Sequence, residues 1–169
     1  TYRRTDGYVN AVRIRNVAAY LHAEGISVDC PGIGELTFDI AYGFIIPEHG
    51  ADRMGRDGTL YELAQWYPRM CVYDDVSGWN TLQYLGQGEF YLEYGDIAFE
   101  VTLPAGYIVA GSGTLQNPLE VLTATERARL AAAVKSDSIT PIITEQELVS
   151  GAARPRKDGT LIWKFRAQN

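Results

Sequence analysis

This 169-residue sequence predicts a mainly β fold. It should be built of antiparallel, sandwich-like sheets, with one clear helix at about 124–135 and a short helical turn at about 145–149. Three observations predict it. Apolar and polar residues alternate with a period of two in the first third and again after residue 89, as in strands with one wet face. Eleven Tyr and 17 Gly suit β structure rich in turns. Only one long stretch combines a helix start signal with high helix propensity.

The elements follow in chain order. Val12 and Ile14 alternate with Arg13 and Arg15. Ile26, Val28 and Cys30 alternate with Ser27 and Asp29, and Leu36, Phe38, Ile40 and Tyr42 with Glu35, Thr37, Asp39 and Ala41. The turn formers Pro31 to Gly34 make residues 26–42 a predicted hairpin. Residues 47–59 hold turn formers and charges and read as a loop. Leu60 to Tyr73 is aromatic and apolar, interrupted by Pro68, which lacks a donor N–H and belongs at an edge or bulge. Asp74 to Gly88 reads as a second loop. Phe90, Leu92 and Tyr94 share one face, as do Ile97, Phe99, Val101 and Leu103. Residues 107–110 and 139–143 read as short strands.

Thr123 followed by Glu126 is a capping box, and Leu130, Ala133 and Val134 supply an apolar stripe to the helix it starts. Thr144 and Glu147 repeat the signal for one turn of helix ending near Gly151. Residues 152–159 read as a charged loop, and Thr160 to Arg166 as a closing strand. Strands from residues 8–43 are expected to pair with those from 89–110 in one cooperative core, because a segment near 40 residues rarely folds alone.

Net charge is −6, which argues against a nucleic-acid partner. No apolar run approaches the length of a membrane-spanning helix, and no signal peptide is expected. The compartment stays open. No Lys or Arg occurs from Cys71 to Glu126, a stretch that holds eight Asp and Glu. Solubility and intramolecular pairing account for that asymmetry, with a cationic ligand or basic partner as the sharper reading.

Candidate chemistry is sparse. Catalytic zinc needs three protein ligands, and the only histidines are His22 and His49, without ligand spacing. No metal or other cofactor is expected. The two cysteines, Cys30 and Cys71, form neither a C-x-x-C motif nor a disulfide framework, and read as buried free thiols. The carboxylate pairs Glu89/Glu93 and Asp74/Asp75 suit acid–base work in principle but fit a solvated strand face. The stretch from Gly111 to Gly113 reads as a turn rather than a phosphate loop.

Two resemblances stand beside this reading. The stretch NAVRIRNVAAYLHAEGISVDCPGIGELTFDIAYG resembles an interior segment of the proline racemase and hydroxyproline epimerase family. That family implies a two-lobed α/β fold and two cysteines on opposite faces of the substrate, one a thiolate base and one a thiol acid. Its thiols lie in contexts such as P-C-G-H and a Cys-Gly-Thr-Gly-like turn. Cys30, in Val-Asp-Cys-Pro-Gly, and Cys71, in Arg-Met-Cys-Val-Tyr, match neither. The remainder, with Trp66, Trp79, Tyr84 and Tyr91 in pattern, resembles the N-terminal β domain of membrane-alanyl-aminopeptidase-like zinc metallopeptidases. That likeness implies a substrate-binding role for Gln65.

Residues 1–43 are therefore expected to be an epimerase-like meander and 44–169 an aminopeptidase-like β region, as in a chimera or designed chain. The expected function is a non-catalytic β domain, not an enzyme, with no catalytic or metal-binding residue. The alternatives are an interaction module using exposed strand edges or an aromatic surface, and a cryptic hydrolase or isomerase. Expected partners are a second copy or a peptidase catalytic domain, with no nucleic acid and no membrane.

Overall fold

A computed structural model describes residues 12–17, 36–40, 42–50, 53–69, 71–82, 87–89, 91–155 and 158–168. The chain forms two compact units, residues 1–93 and 94–169. Both contain antiparallel sheets, as the period-two pattern predicts.

In the first unit β1 (Val12–Val17) pairs antiparallel with β2 (Leu36–Ile40). Val12 lies opposite Ile40 and Ile14 opposite Phe38, with a register irregularity between Ile14 and Val17. The other arm of the expected 26–42 hairpin, residues 26–35, lies outside the described residues. β3 (Met54–Asp57), within the expected loop, and β4 (Leu60–Leu63), at the start of the apolar stretch after it, form a tight hairpin. Gly58 and Thr59 form the two-residue loop, and Gly58, at its first position, takes the positive φ of 56° that such a turn needs. β5 (Tyr73–Asp74) and β6 (Gly78–Trp79) make a smaller hairpin within the second expected loop. Tyr73 and Trp79 meet edge to face at 5.1 Å there. Cys71 bridges Leu92 in antiparallel fashion. The Tyr42 hydroxyl donates to the Trp66 carbonyl at 3.0 Å, tying the segment after β2 to the segment after β4.

The second unit has a three-stranded sheet in the order β7-β9-β8, from β7 (Ile97–Pro104), β8 (Thr114–Leu115) and β9 (Thr160–Ala167). Alternation decides its faces. Leu161, Trp163 and Phe165 of β9 are buried, and Phe99 and Val101 of β7 pack against them. Phe99 stacks on Phe165 at 5.1 Å, directly opposite in register. On the other face the Lys164 ammonium pairs with Glu100 at 3.4 Å and Arg166 with Asp96 at 3.5 Å. Among the described residues β1 pairs with β2 and β7 with β9.

The second unit also has three helices: α1 (Pro118–Val121), α2 (Ala124–Ala133) and α3 (Glu145–Ser150). Both predicted capping boxes form, from Thr123 with Glu126 and from Thr144 with Glu147. Gly151, at φ 76°, ends α3. Leu130 packs on the core, whereas Val134, expected in the same stripe, is exposed because it falls at the helix's C-cap. Val121 and Leu122 complete the core with Ala105. The side chain of Asn117 behaves as an extra strand residue. Its Nδ2 donates to the Ile162 carbonyl at 2.8 Å, and its Oδ1 accepts from the Lys164 N–H at 3.0 Å. Two expected strands are absent. Residues 107–110 and 139–143 run irregularly; Ile108 and Val109 bury against the core without a ladder, and Ile139 is fully exposed.

Candidate functional site

The β3–β4 hairpin positions a polar cluster in the first unit. Arg53 immediately precedes β3, and Gln65 lies two residues beyond β4. Met54 opposite Leu63, and the Ala64 N–H donating to the Arg53 carbonyl at 2.9 Å, hold the two ends of the hairpin together. Arg53 Nη1 donates to Gln65 Oε1 at 3.2 Å and to Glu89 Oε2 at 2.7 Å, while Nη2 meets Glu89 Oε1. The guanidinium fork is thus seated bidentate on a carboxylate. Its hydrogen bonds to Glu89, more than their charge attraction, hold that carboxyl below the usual range.

The backbone here is unusual. Arg53 (φ 71°), Gln65 (φ 53°) and His49 (φ 58°) are the non-glycine residues with positive φ among the described residues. Each such conformation costs about 1–2 kcal/mol for an L residue. The surrounding hydrogen bonds impose it: His49 N–H donates to the Arg56 carbonyl and Arg56 N–H to the Pro47 carbonyl, both at 2.9 Å. Arg56 also pairs with Glu48. The hydrogen bond to Tyr61, then the charge of Glu48, raise its guanidinium above the ordinary value. Strain of this kind concentrates where structure is kept for a task.

The other residues singled out in the sequence fall elsewhere. Asp74 closes a turn: its Oδ1 accepts from the N–H groups of Val76 and Ser77, at 3.0 and 2.6 Å, and Oδ2 from Asn80 at 2.9 Å. The Ser77 N–H above all lowers its pKa, and Asp75 is exposed beside it. Glu89 and Glu93 do not act as a pair. The Glu89 carboxylate is held by Arg53, and Glu93 offers its backbone carbonyl to Arg69 at 2.8 Å. Cys71 is a half-buried free thiol. His22 and Cys30 lie outside the described residues, and His49 is exposed. Gly111 to Gly113 is a bend leading into β8, as expected. Among the described residues no group of three His, Cys, Asp or Glu side chains is arranged to hold a metal ion. No helix among them is long and apolar enough to cross a membrane.

The second unit carries an open groove of about 640 Å3 lined by Gly113, Thr114, Gln116, Arg166, Ala167 and Gln168. Its charged group, Arg166, is already paired with Asp96. The buried Glu126 is absorbed by the capping box through Oε2, which accepts from the Thr123 N–H at 2.8 Å.

The comparisons with known proteins show likenesses over the first part of the chain. The proline racemase family model matches residues 1–49, the segment that contains β1 and β2. The relatives are more particular. A 4-hydroxyproline 2-epimerase of Ancylobacter novellus is 52% identical over 42 residues, covering 25% of this chain and 13% of that protein. A probable 4-hydroxyproline 2-epimerase of Rhizobium meliloti is 36% identical over 75 residues, covering 41% and 22%. A 4-hydroxyproline 2-epimerase 2 of Rhizobium rhizogenes is 45% identical over 60 residues, covering 34% and 18%. The chain therefore spans less than a quarter of the length of these relatives. No solved structure matches it.

These matches correct three expectations. The likeness they carry is to epimerases, not to a zinc metallopeptidase, and they lend no support to a chimeric join. The non-catalytic, metallopeptidase-derived reading gives way to the isomerase alternative, and the expectation that the chain is not an enzyme falls with it. The physical reason is that an aromatic period-two pattern reports strands, and strands are shared by many chemistries.

Proposed function

We propose that this chain belongs to an isomerase acting at the α-carbon of a proline-type imino acid, with residues 1–49 as the segment it shares with the epimerases. What supports this reading is the likeness of that segment to the proline racemase model together with identities of 36–52% to 4-hydroxyproline epimerases. Inversion at that carbon requires a base on one face and an acid on the other. The chain's thiols are Cys30 and Cys71, neither in the sequence context that the family resemblance implies for its catalytic pair. An acidic chain of net charge −6 supports a small-molecule substrate over a nucleic acid. The test is to incubate the chain with trans-4-hydroxy-L-proline in D2O and follow the α-proton by NMR. Loss of that signal, with the epimer appearing on a chiral column, is the expected result. An α-proton that persists as long as in a protein-free control would overturn the reading.

A further inference from the structure

The outer edge of β7 is a row of main-chain donors and acceptors, and the contacts of β9 show which residues supply it. Lys164 lies opposite Glu100 in register. Its carbonyl accepts from the Gln116 N–H at 2.8 Å and its N–H donates to Asn117 Oδ1 at 3.0 Å, so both of its main-chain groups are turned to the β8 side. The Ile162 carbonyl, opposite Thr102, is turned the same way by Asn117 Nδ2 at 2.8 Å. Hydrogen bonding alternates along an antiparallel strand. Ala105, whose N–H donates to the Gly159 carbonyl at 2.9 Å, therefore sets the odd-numbered residues of β7 to face β9. The main-chain groups of Ala98, Glu100 and Thr102 and the carbonyl of Pro104 face the other way, and no strand among the described residues pairs with them. Pro104 fits that row, since a proline is tolerated in a strand where its nitrogen meets no neighbour.

We propose that this edge is an interface between two copies of the chain, joined antiparallel through β7 about a two-fold axis at Val101. The row is self-complementary in that register. Glu100 and Thr102 of one copy exchange main-chain bonds with Thr102 and Glu100 of the other, and each Ala98 N–H meets the other copy's Pro104 carbonyl. Phe99 falls opposite Leu103, and Val101 opposite itself, on the apolar face that carries the core. Sliding the pairing one way sets the two Glu100 carboxylates directly opposite each other, which like charges oppose. Sliding it the other way sets Glu100 against Pro104, which has no N–H to offer. The charge that commonly guards a strand edge is here offset within the chain, by the Lys164 ammonium 3.4 Å from Glu100. β8, at the far side of the sheet, has only two residues, so pairing β7 to β7 closes the assembly at two copies rather than extending it. The proposal is independent of the isomerase reading.

Sedimentation equilibrium of the full chain reads the mass, and amide hydrogen exchange reads the edge. Across concentrations up to about 1 mM, the mass should rise from 18.7 kDa to twice that value and stop there. The Glu100 and Thr102 amides should exchange more slowly as the dimer forms. Charge at position 102 has a predicted sign, because it lies directly opposite Glu100 of the other copy. Thr102→Lys should tighten the dimer and Thr102→Glu loosen it, each by about two- to thirtyfold, for a cross-strand charge pair present twice. Thr102→Pro, with the circular dichroism of the parent, should be monomeric, because it removes an edge donor and leaves the bonds to β9 in place. Should it not fold, the other two variants carry the comparison. A chain that stays at 18.7 kDa throughout, or a mass that climbs past two copies, would overturn the proposal. So would a dimer that Thr102→Lys and Thr102→Glu shift alike, or one whose edge amides exchange as fast as the monomer's.

Discussion

Trp163 is the residue on which the second unit's stability should turn. It sits in the middle of β9 at 2% exposure, opposite Val101 and within the buried cluster. Truncating a buried Trp to Ala costs about 3–5 kcal/mol through lost transfer energy and the cavity left behind. A unit of roughly 75 residues is stable by only about 4–11 kcal/mol, so Trp163→Ala should remove about a third or more of its stability. Trp163→Phe is more informative. The indole Nε1 is buried, with no hydrogen-bond partner among the described residues. An unsatisfied buried donor costs about 1–3 kcal/mol. Phe removes that donor and keeps an aromatic ring, so the smaller cavity and the removed penalty should nearly cancel, to within about 1 kcal/mol. Urea unfolding followed by far-UV circular dichroism measures both. A Phe variant as unstable as the Ala variant would refute the orphan-donor reasoning, and an Ala variant with the parent's midpoint would refute the placement of the core.

Further outcomes follow from local geometry. Gly113→Ala should lower the melting temperature markedly, since φ is +88° and an added Cβ would lie 2.5 Å from the Arg166 carbonyl oxygen. Gly58→Ala, at φ +56° with open space around it, should lose only about 1–2 kcal/mol for its backbone conformation; thermal scans of both variants decide the ranking. Glu147 is held down to about 2, first by its hydrogen bond from Arg129 and then by Thr144. A depressed carboxyl stabilises the fold above its ordinary pKa of 4.5 and loses that contribution as pH falls towards about 2. The melting temperature of Glu147→Gln should therefore fall less steeply than the parent's across that interval, and parallel curves would count against the linkage.

The sequence disclosed those elements whose signals are local. Period-two alternation located β7 and β9, and the Thr-x-x-Glu spacing located α2 and α3 to within a residue or two at their starts. It failed where charge masks a strand, as in Met54–Asp57, and where apolar β-branched residues find burial without a ladder, as at Ile108 and Val109. The Arg53–Glu89 contact spans 36 residues and no spacing rule reports it. The left-handed backbone at Arg53 and Gln65 was equally hidden, because neither residue type advertises that conformation as Gly or Asn would. Gln65 was singled out by resemblance; its bond to Arg53 came only with the structure. Charge asymmetry was partly legible: Glu89, Asp96 and Glu100, from the stretch without cations, each find one elsewhere in the chain.

The position of β9 between β7 and β8 has a consequence for the order in which a growing polypeptide can fold. Ile97 is joined to Ala167 and Pro104 to Thr160, so β7 must wait through all the intervening sequence before its partner is synthesised. β8 waits as well, since it too bonds to β9 and not to β7. During that interval the inward face of Phe99 and Val101 has no aromatic wall to rest on. Pairings so distant in sequence are slow to close, and unpaired strands are where newly made chains stick to one another. A ribosome that pauses before residue 160 would hold this unit in that exposed condition, and one that passes quickly through β9 would end it.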